Sequence, residues 1–374
     1  MSGKPKVNKY KSLSGVVTRL RDDLRDSGNG GHDFVLLFAY NGTGKTRLSM
    51  EFKEVGKRKR GIERDTLYFN AFTEDLFTWD NDLENSIERK LHINSDSKFF
   101  EAFEKFSLEE RIFSYLKRYT TFDFKISYEN WQIVFSKEID NPRFREGSEE
   151  PEKITQDNIK ISRGEENIFI WCVFLAICEL VLDGEDTYSW VKYFYVDDPI
   201  SSLDDNNTIA VATDLAMLLK RGSEKKVKTV ISSHHSLFFN VMYNELKKAP
   251  HKSYFYNHNS ENYYTLQATN DTPFFHHVAM LSMLKKASET RELYTYHFNA
   301  LRSILEKTAA FHGHDDFSFC LDSTDEALHS RALNLLSHGG GYPLYQPVKM
   351  LEDNKDIFKD ILNYFLKRFE FELP

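Results

Sequence analysis

Between residues 39 and 46 the chain reads Ala39-Tyr40-Asn41-Gly42-Thr43-Gly44-Lys45-Thr46. Glycines at this spacing let backbone N–H groups turn inward around phosphates at the start of a helix. The pattern is that of the phosphate-binding loop, GxxxxGK(S/T), with Ala39 in place of the first glycine. Asn41, Gly42, Thr43 and Gly44 would line the phosphates, Lys45 would reach the β- and γ-phosphates, and Thr46 would hold Mg2+. ATP or GTP is the implied nucleotide. Two carboxylates follow an apolar run at Asp197-Asp198-Pro199. Asp197 suits the Mg2+ shell, and Asp198 stands where a catalytic carboxylate belongs. Ser232-Ser233-His234 ends another apolar run and places an imidazole for the γ-phosphate. A third group lies far downstream: Arg302, Glu306 four residues later, and His338 just before three glycines. Spacing alone reads Arg302 and Glu306 as a surface ion pair worth ~0.3–0.5 kcal/mol, and His338 as an exposed loop residue.

Ile161-Ser162-Arg163-Gly164-Glu165-Glu166 opens a long apolar segment. Ser162 and the Gly164 backbone would sit at a second helix N-terminus suited to a γ-phosphate, although Ser-x-x-Glu is also an ordinary helix start. Ser201-Ser202-Leu203-Asp204 follows the paired carboxylates, with Asp204 as a further nucleotide contact. Phosphate loop, serine–glycine signature, paired carboxylates, Asp204 loop and histidine occur in the order found in ABC-type ATPases, which the chain resembles. Sites of that type are composite, so Ser162 of one copy would cap the nucleotide held by Lys45 of another. A homodimer or higher homo-oligomer is expected. The side chain of Asp198 is one CH2 shorter than the Glu usual at its position, which implies slow hydrolysis and a switch rather than a pump.

The elements that must position these groups are legible in outline. Phe34 to Ala39 is a continuous apolar run, as in a central strand buried on both faces. Strands are also expected at 65–71, 193–196 and 228–232, and a buried helix over 168–182, which is too short to cross a membrane. Residues 75–160 show no clear period and read as an irregular, largely helical insertion with some strand. The fold class is therefore α/β: an ATPase domain over 1–255, then a mainly α-helical domain over 256–374. A net charge of −8 argues against a chain coated with nucleic acid but leaves room for a local basic groove. Cys172, Cys178 and Cys320 have no zinc spacing and read as buried thiols in a reducing compartment. No signal peptide and no membrane contact are expected, and the location expected is the cytoplasm. About 115 residues without heptads separate Thr46 from Ser162, which excludes long coiled-coil arms.

In the C-terminal third, Phe298, Leu301, Leu305 and Ala309 recur at helical spacing and form a core stripe. Lys285, Lys286, Arg291 and Lys307, with Tyr294, Tyr296 and Phe298, offer cations and rings for RNA. His312-Gly313-His314-Asp315-Asp316 could suggest a metal site but reads as a solvated loop. FAYNGTGKTRLS (38–49), YFNAFTEDLF (68–77), SRGEENIFIW (162–171), VDDPISSLDDN (196–206), LFFNVMYNEL (237–246), YHFNALRSILEKTAAF (296–311) and LLSH (335–338) resemble the bacterial anticodon nucleases of the PrrC type. The resemblance implies an ABC-type ATPase joined to a C-terminal ribonuclease, with Arg302, Glu306 and His338 as its catalytic trio and tRNA as substrate; Asp271 is then a candidate reader of a modified base. It also implies a silencing type I restriction–modification complex and activation on infection. The other reading open at this point is a defence ATPase whose C-terminal domain is a non-catalytic scaffold. The glycine run after His338 departs from the family pattern, so lysine tRNA does not follow as the substrate, and residues 252–275 do not align clearly.

Overall fold

The structure is a computed structural model. It describes residues 7–25, 31–57, 65–70, 76–80, 89–95, 100, 108–145, 147, 150–199, 203, 205–224, 227–258, 263–269, 275–322, 325–338, 349–371 and 373. The chain divides into one unit over Val7–Asn270 and a second over Asp271–Pro374 together with the first six residues.

The larger unit is built on a mostly parallel sheet. Its elements begin with β1 (Val7–Tyr10), α1 (Leu13–Leu24), β2 (Phe34–Phe38), α2 (Lys45–Lys57) and β3 (Thr66–Asn70). After an inserted segment come α4 (Arg163–Asp183), β9 (Tyr193–Asp197), α5 (Asp205–Glu224), β10 (Lys228–Ser233), α6 (Ser236–Leu246), β11 (His251–His258) and β12 (Tyr264–Ala268). The sheet order is β1-β12-β11-β2-β10-β9-β3. All five residues of β2 are buried, as an apolar run with helices on both faces requires. One face packs on α1 and α2 through Val16, Leu20, Leu48 and Phe52 against Val35, Leu37 and Tyr195. Helix α4 is buried almost throughout from Ile168 to Leu182, as its unbroken apolar sequence demands. No helix among the described residues is long and apolar enough to cross a membrane. Cys172, Cys178 and Cys320 are free and buried, and burial pushes all three thiols up.

Arg21 is a charge buried under this sheet. Its guanidinium donates to Asp65 at 2.8 and 3.1 Å and to the Phe52 carbonyl at 2.6 Å, and it lies 4.2 Å from the centre of the Phe52 ring. Removing one partner of such a pair leaves an uncompensated charge in the core. Asp65→Ala is expected to destabilise the fold by about 3–5 kcal/mol, measured by the denaturant midpoint. Unchanged stability would mean that water reaches the guanidinium.

Two expectations about organisation are corrected. The insertion is not largely helical among the described residues. It contains β4 (Phe77–Asp80), β5 (Lys90–Ile93), the short α3 (Glu109–Leu116), β6 (Phe122–Ser127), β7 (Gln132–Asp140) and β8 (Lys153–Gln156). These strands make an antiparallel sheet in the order β4-β5-β7-β6, with β8 on β7. The missed signal is alternation: Phe122, Phe124 and Ile126 share one face, interrupted by Asp123 and Lys125. The expected boundary at 255/256 cuts through β11. Because β12 pairs with β11 and β1 pairs with β12, the sheet is complete only at residue 268.

Helix α3 ties this insertion to the helices behind the main sheet. Arg111 pairs with Glu179 and Asp183, Tyr115 donates to Glu179 at 2.7 Å, and Tyr119 donates to Asp214 at 2.6 Å beside an Arg118–Asp214 ion pair. Arg221 of α5 joins the same two acids of α4.

The smaller unit is helical: α7 (Phe275–Glu289), α8 (Thr295–Phe311), a single tight turn at Phe317–Cys320, α9 (Glu326–His338) and α10 (Glu352–Arg368). Phe298, Leu301, Leu305 and Ala309 are buried along α8 as their spacing predicts, with Leu333 of α9 and Phe358, Ile361 and Phe365 of α10 also in the core.

Candidate functional site

Three adjacent parallel strands carry the nucleotide chemistry to one edge of the sheet. β10 pairs with β2 on one side and β9 on the other, so the phosphate loop, Asp197-Asp198 and His234 leave neighbouring strand ends together. Gly42 and Gly44 both have positive φ (81° and 89°), the left-handed backbone that a loop folded around phosphate requires. Ala39 is fully buried, and its N–H donates to the Ser233 carbonyl at 3.0 Å. A methyl group is thus accommodated where the pattern has glycine. Asn41 and Thr46 are exposed at this edge, and the Thr43 hydroxyl donates to the Tyr40 carbonyl at 2.7 Å.

Lys45 is buried and points back across the loop. Its ammonium donates to the Ala39 and Tyr40 carbonyls at 3.1 and 3.3 Å and pairs with Asp198 at 3.1 Å. Asp198 has φ 48°, a left-handed conformation that Asp adopts at modest cost. That turn aims its carboxylate at both Lys45 and His234, whose N–H and Nδ1 lie 2.9 and 2.7 Å away. Burial works against ionisation of Asp198, but the His234 hydrogen bond and the Lys45 charge hold its carboxyl below the ordinary range.

Asp197 is the opposite case. Burial raises its pKa, although Ser232 donates to it at 2.6 Å and the Ser49 hydroxyl lies 3.2 Å from it. A buried carboxylate backed by two hydroxyls, with Thr46 one turn before Ser49, is a hard-oxygen donor set that fits Mg2+. Bound there, the ion would supply positive charge to the nucleotide phosphates, and Asp197 and Thr46 would hold it. The raised folded pKa means that the native state takes up the proton more readily than the unfolded chain. Stability on this account falls as pH rises from the unfolded pKa through the folded one, and at pH 7 the charge is a net cost. Asp197→Asn is therefore expected to raise stability by roughly 0.5–2 kcal/mol while removing nucleotide hydrolysis. A thermal melt and a phosphate-release assay check the two halves; a lower Tm would refute the first.

Ser162 caps α4 with a full capping box: its hydroxyl accepts from Glu165 N–H at 3.3 Å, and its own N–H donates to the Glu165 carboxylate at 2.8 Å. The ordinary helix start is thus realised, and the exposed N-terminus still faces outward. Ser162 and Gly164 line a cleft of about 330 Å3 with Tyr119, Thr121, Leu203 and Asn207. None of Lys45, Asp197, Asp198 or His234 lines it. Asp204 lies outside the described residues.

In the helical unit, Arg302 and Glu306 meet on α8, with Nε donating to Oε1 at 2.7 Å. The guanidinium also donates from Nη1 to Asn334 Oδ1 on α9 at 2.8 Å and lies 5.2 Å from the centre of the Phe317 ring. Asn334 was missed in the sequence; its only signal was a polar residue one turn before His338. His338 is the last residue of α9 rather than part of a loop, because the run 334–338 continues the helix up to the glycines. Its side chain lies outside the described residues. Ser49 and Ser232, which hold Asp197, were likewise missed.

One expected RNA contact is corrected: Phe298 is fully buried. Arg291 is exposed and paired with Glu352 at 2.7 Å and Asp356 at 3.0 Å. Lys285, Lys286 and Lys307 are exposed, while Asp271 and the Tyr296 side chain lie outside the described residues. His314 stacks on Phe319 at 3.8 Å, and no metal-holding cluster of His, Cys, Asp or Glu occurs among the described residues.

A family model described as an AAA domain matches residues 151–360. An anticodon nuclease of Escherichia coli is 32% identical to the chain, with 81% of each covered. The chain belongs to the anticodon nuclease family of the PrrC type. In this member of the anticodon nuclease family, the nucleotide-site groups and the Arg302–Glu306 pair lie in separate units of the chain. The larger unit has the fold of a phosphate-loop ATPase.

Proposed function

We propose that this protein is a nucleotide-gated ribonuclease that cuts a tRNA within its anticodon loop, without a metal, in anti-phage defence. The observation that carries the reading is the pair Arg302–Glu306 on α8, drawn by Asn334 toward the helix that ends at His338. Family membership supports the nuclease reading. The ribose 2′-OH would attack its neighbouring phosphate. Glu306 would accept the 2′-OH proton and His338 would protonate the departing 5′-oxygen, with the two roles exchangeable. Arg302, always charged, would stabilise the extra negative charge on phosphorus. The products are a 2′,3′-cyclic phosphate and a 5′-OH.

Nucleotide binding would act through a homodimer or larger homo-oligomer, in which Ser162 of one copy closes on the phosphate loop of the next. ATP or GTP with Mg2+ would set whether the ribonuclease centres are open to RNA. A type I restriction–modification complex is the proposed silencing partner, and the cytoplasm the proposed site of action.

The experiment is to incubate purified protein with total bacterial tRNA, ATP or GTP, and Mg2+, and to sequence the new RNA ends. Discrete cuts in one anticodon loop that leave cyclic phosphate support the proposal and name the substrate. Intact tRNA alongside nucleotide hydrolysis, with a type I complex both added and withdrawn, favours a non-catalytic scaffold instead.

A further inference from the structure

We propose that Asn334 is a further catalytic residue of the ribonuclease centre, its side-chain amide donating a hydrogen bond to the scissile phosphate beside Arg302. The inference rests on Arg302, Glu306 and His338 forming that centre.

Arginine has only donors, so the Asn334 atom 2.8 Å from Arg302 Nη1 has to be the amide oxygen. Fixing the oxygen fixes the whole planar amide, and its NH2 group must then face away from the guanidinium. Asn334 is exposed, and among the described residues its Nδ2 has no protein partner. The two N–H donors are thus oriented without being used. They sit one helical turn before His338 and next to a guanidinium that Glu306, Asn334 and Phe317 hold in place.

Charge explains why such a donor matters. Glu306 lies 2.7 Å from Arg302, so an approaching phosphate meets a pair with little net charge. A neutral donor adds attraction at contact distance that the carboxylate does not cancel. Mere orientation of Arg302 by Asn334 is the competing role, and aspartate separates the two. Asn334→Asp has the same shape and keeps the bond to Arg302 with charge assistance. It replaces the NH2 donor with a negative oxygen facing the phosphate.

The test uses the full chain with total bacterial tRNA and reads the initial rate of new 2′,3′-cyclic phosphate ends. Nucleotide hydrolysis and the far-UV spectrum report folding, which an exposed position is not expected to disturb. Asn334→Ala is expected to slow cutting by about 10²–10³-fold, and Asn334→Asp by at least as much. A wild-type rate for Asn334→Asp with a slow Asn334→Ala overturns the donor role, because orientation alone then suffices. Wild-type rates for both, with Arg302→Ala inactive, also overturn the proposal but leave the centre standing. Arg302→Ala at the wild-type rate removes the centre itself.

Discussion

Glu306→Ala is expected to lower RNA cleavage by about 10²–10⁴-fold while nucleotide hydrolysis stays within a factor of about 2. The side chain is half exposed, and its partner Arg302 keeps the Asn334 bond, so truncation removes little structural support. Loss of an exposed i,i+4 pair costs only ~0.3–0.5 kcal/mol. A large drop in cutting with an intact fold and intact hydrolysis therefore isolates proton transfer as the missing function. His338→Ala is expected to fall in the same range. The double variant should be no slower than the worse single one, since an acid and a base that act together fail together. Undiminished cutting by either single variant would remove that residue from the centre.

Asp198→Asn is expected to reduce nucleotide hydrolysis by about 10²–10⁴-fold, read as phosphate release. Asparagine preserves the volume but halves the acceptor capacity at a position that now serves both Lys45 and His234. His234→Ala is expected to act in the same direction, and the pair should again be less than additive because one hydrogen bond joins them. Since Asp198 is held below the ordinary carboxylate range, it stays ionised across the neutral and mildly acidic range. A loss of hydrolysis between about pH 6 and 5 therefore has to be traced to another group. Asp198→Glu restores the longer side chain usual at this position and tests whether reach limits the rate.

The nucleotide half was legible because its chemistry is local. Strand β2, the loop to Lys45 and the carboxylates at 197–198 each occupy a few consecutive residues, and buried parallel strands announce themselves as unbroken apolar runs. What joins them was not legible. The pairing of β1 with β12 links positions near 8 and 266, and no window of sequence contains both. The insertion was misread because its strands are half exposed, and charged residues at 123 and 125 blur the alternation. In the helical unit the core stripe of α8 was visible from its spacing. The Arg302–Asn334 bond was not, because it depends on how α8 and α9 pack. Asp198 was recognised by its position, yet its left-handed backbone, which aims the carboxylate, carries no mark in the sequence.

The strand that closes the main sheet also sets a schedule. β1 is made about 250 residues before β12 and cannot pair until β12 has been synthesised, and β12 directly precedes the helical unit. At the ribosome's pace of about 5–20 residues per second, the helical unit then takes roughly 5–20 s to complete. The nucleotide-binding sheet can therefore finish folding before α9 is made, and the helices proposed to cut tRNA are born attached to a completed ATPase. The order of synthesis thus places the nucleotide-binding unit ahead of the helices that carry Arg302, Glu306 and His338.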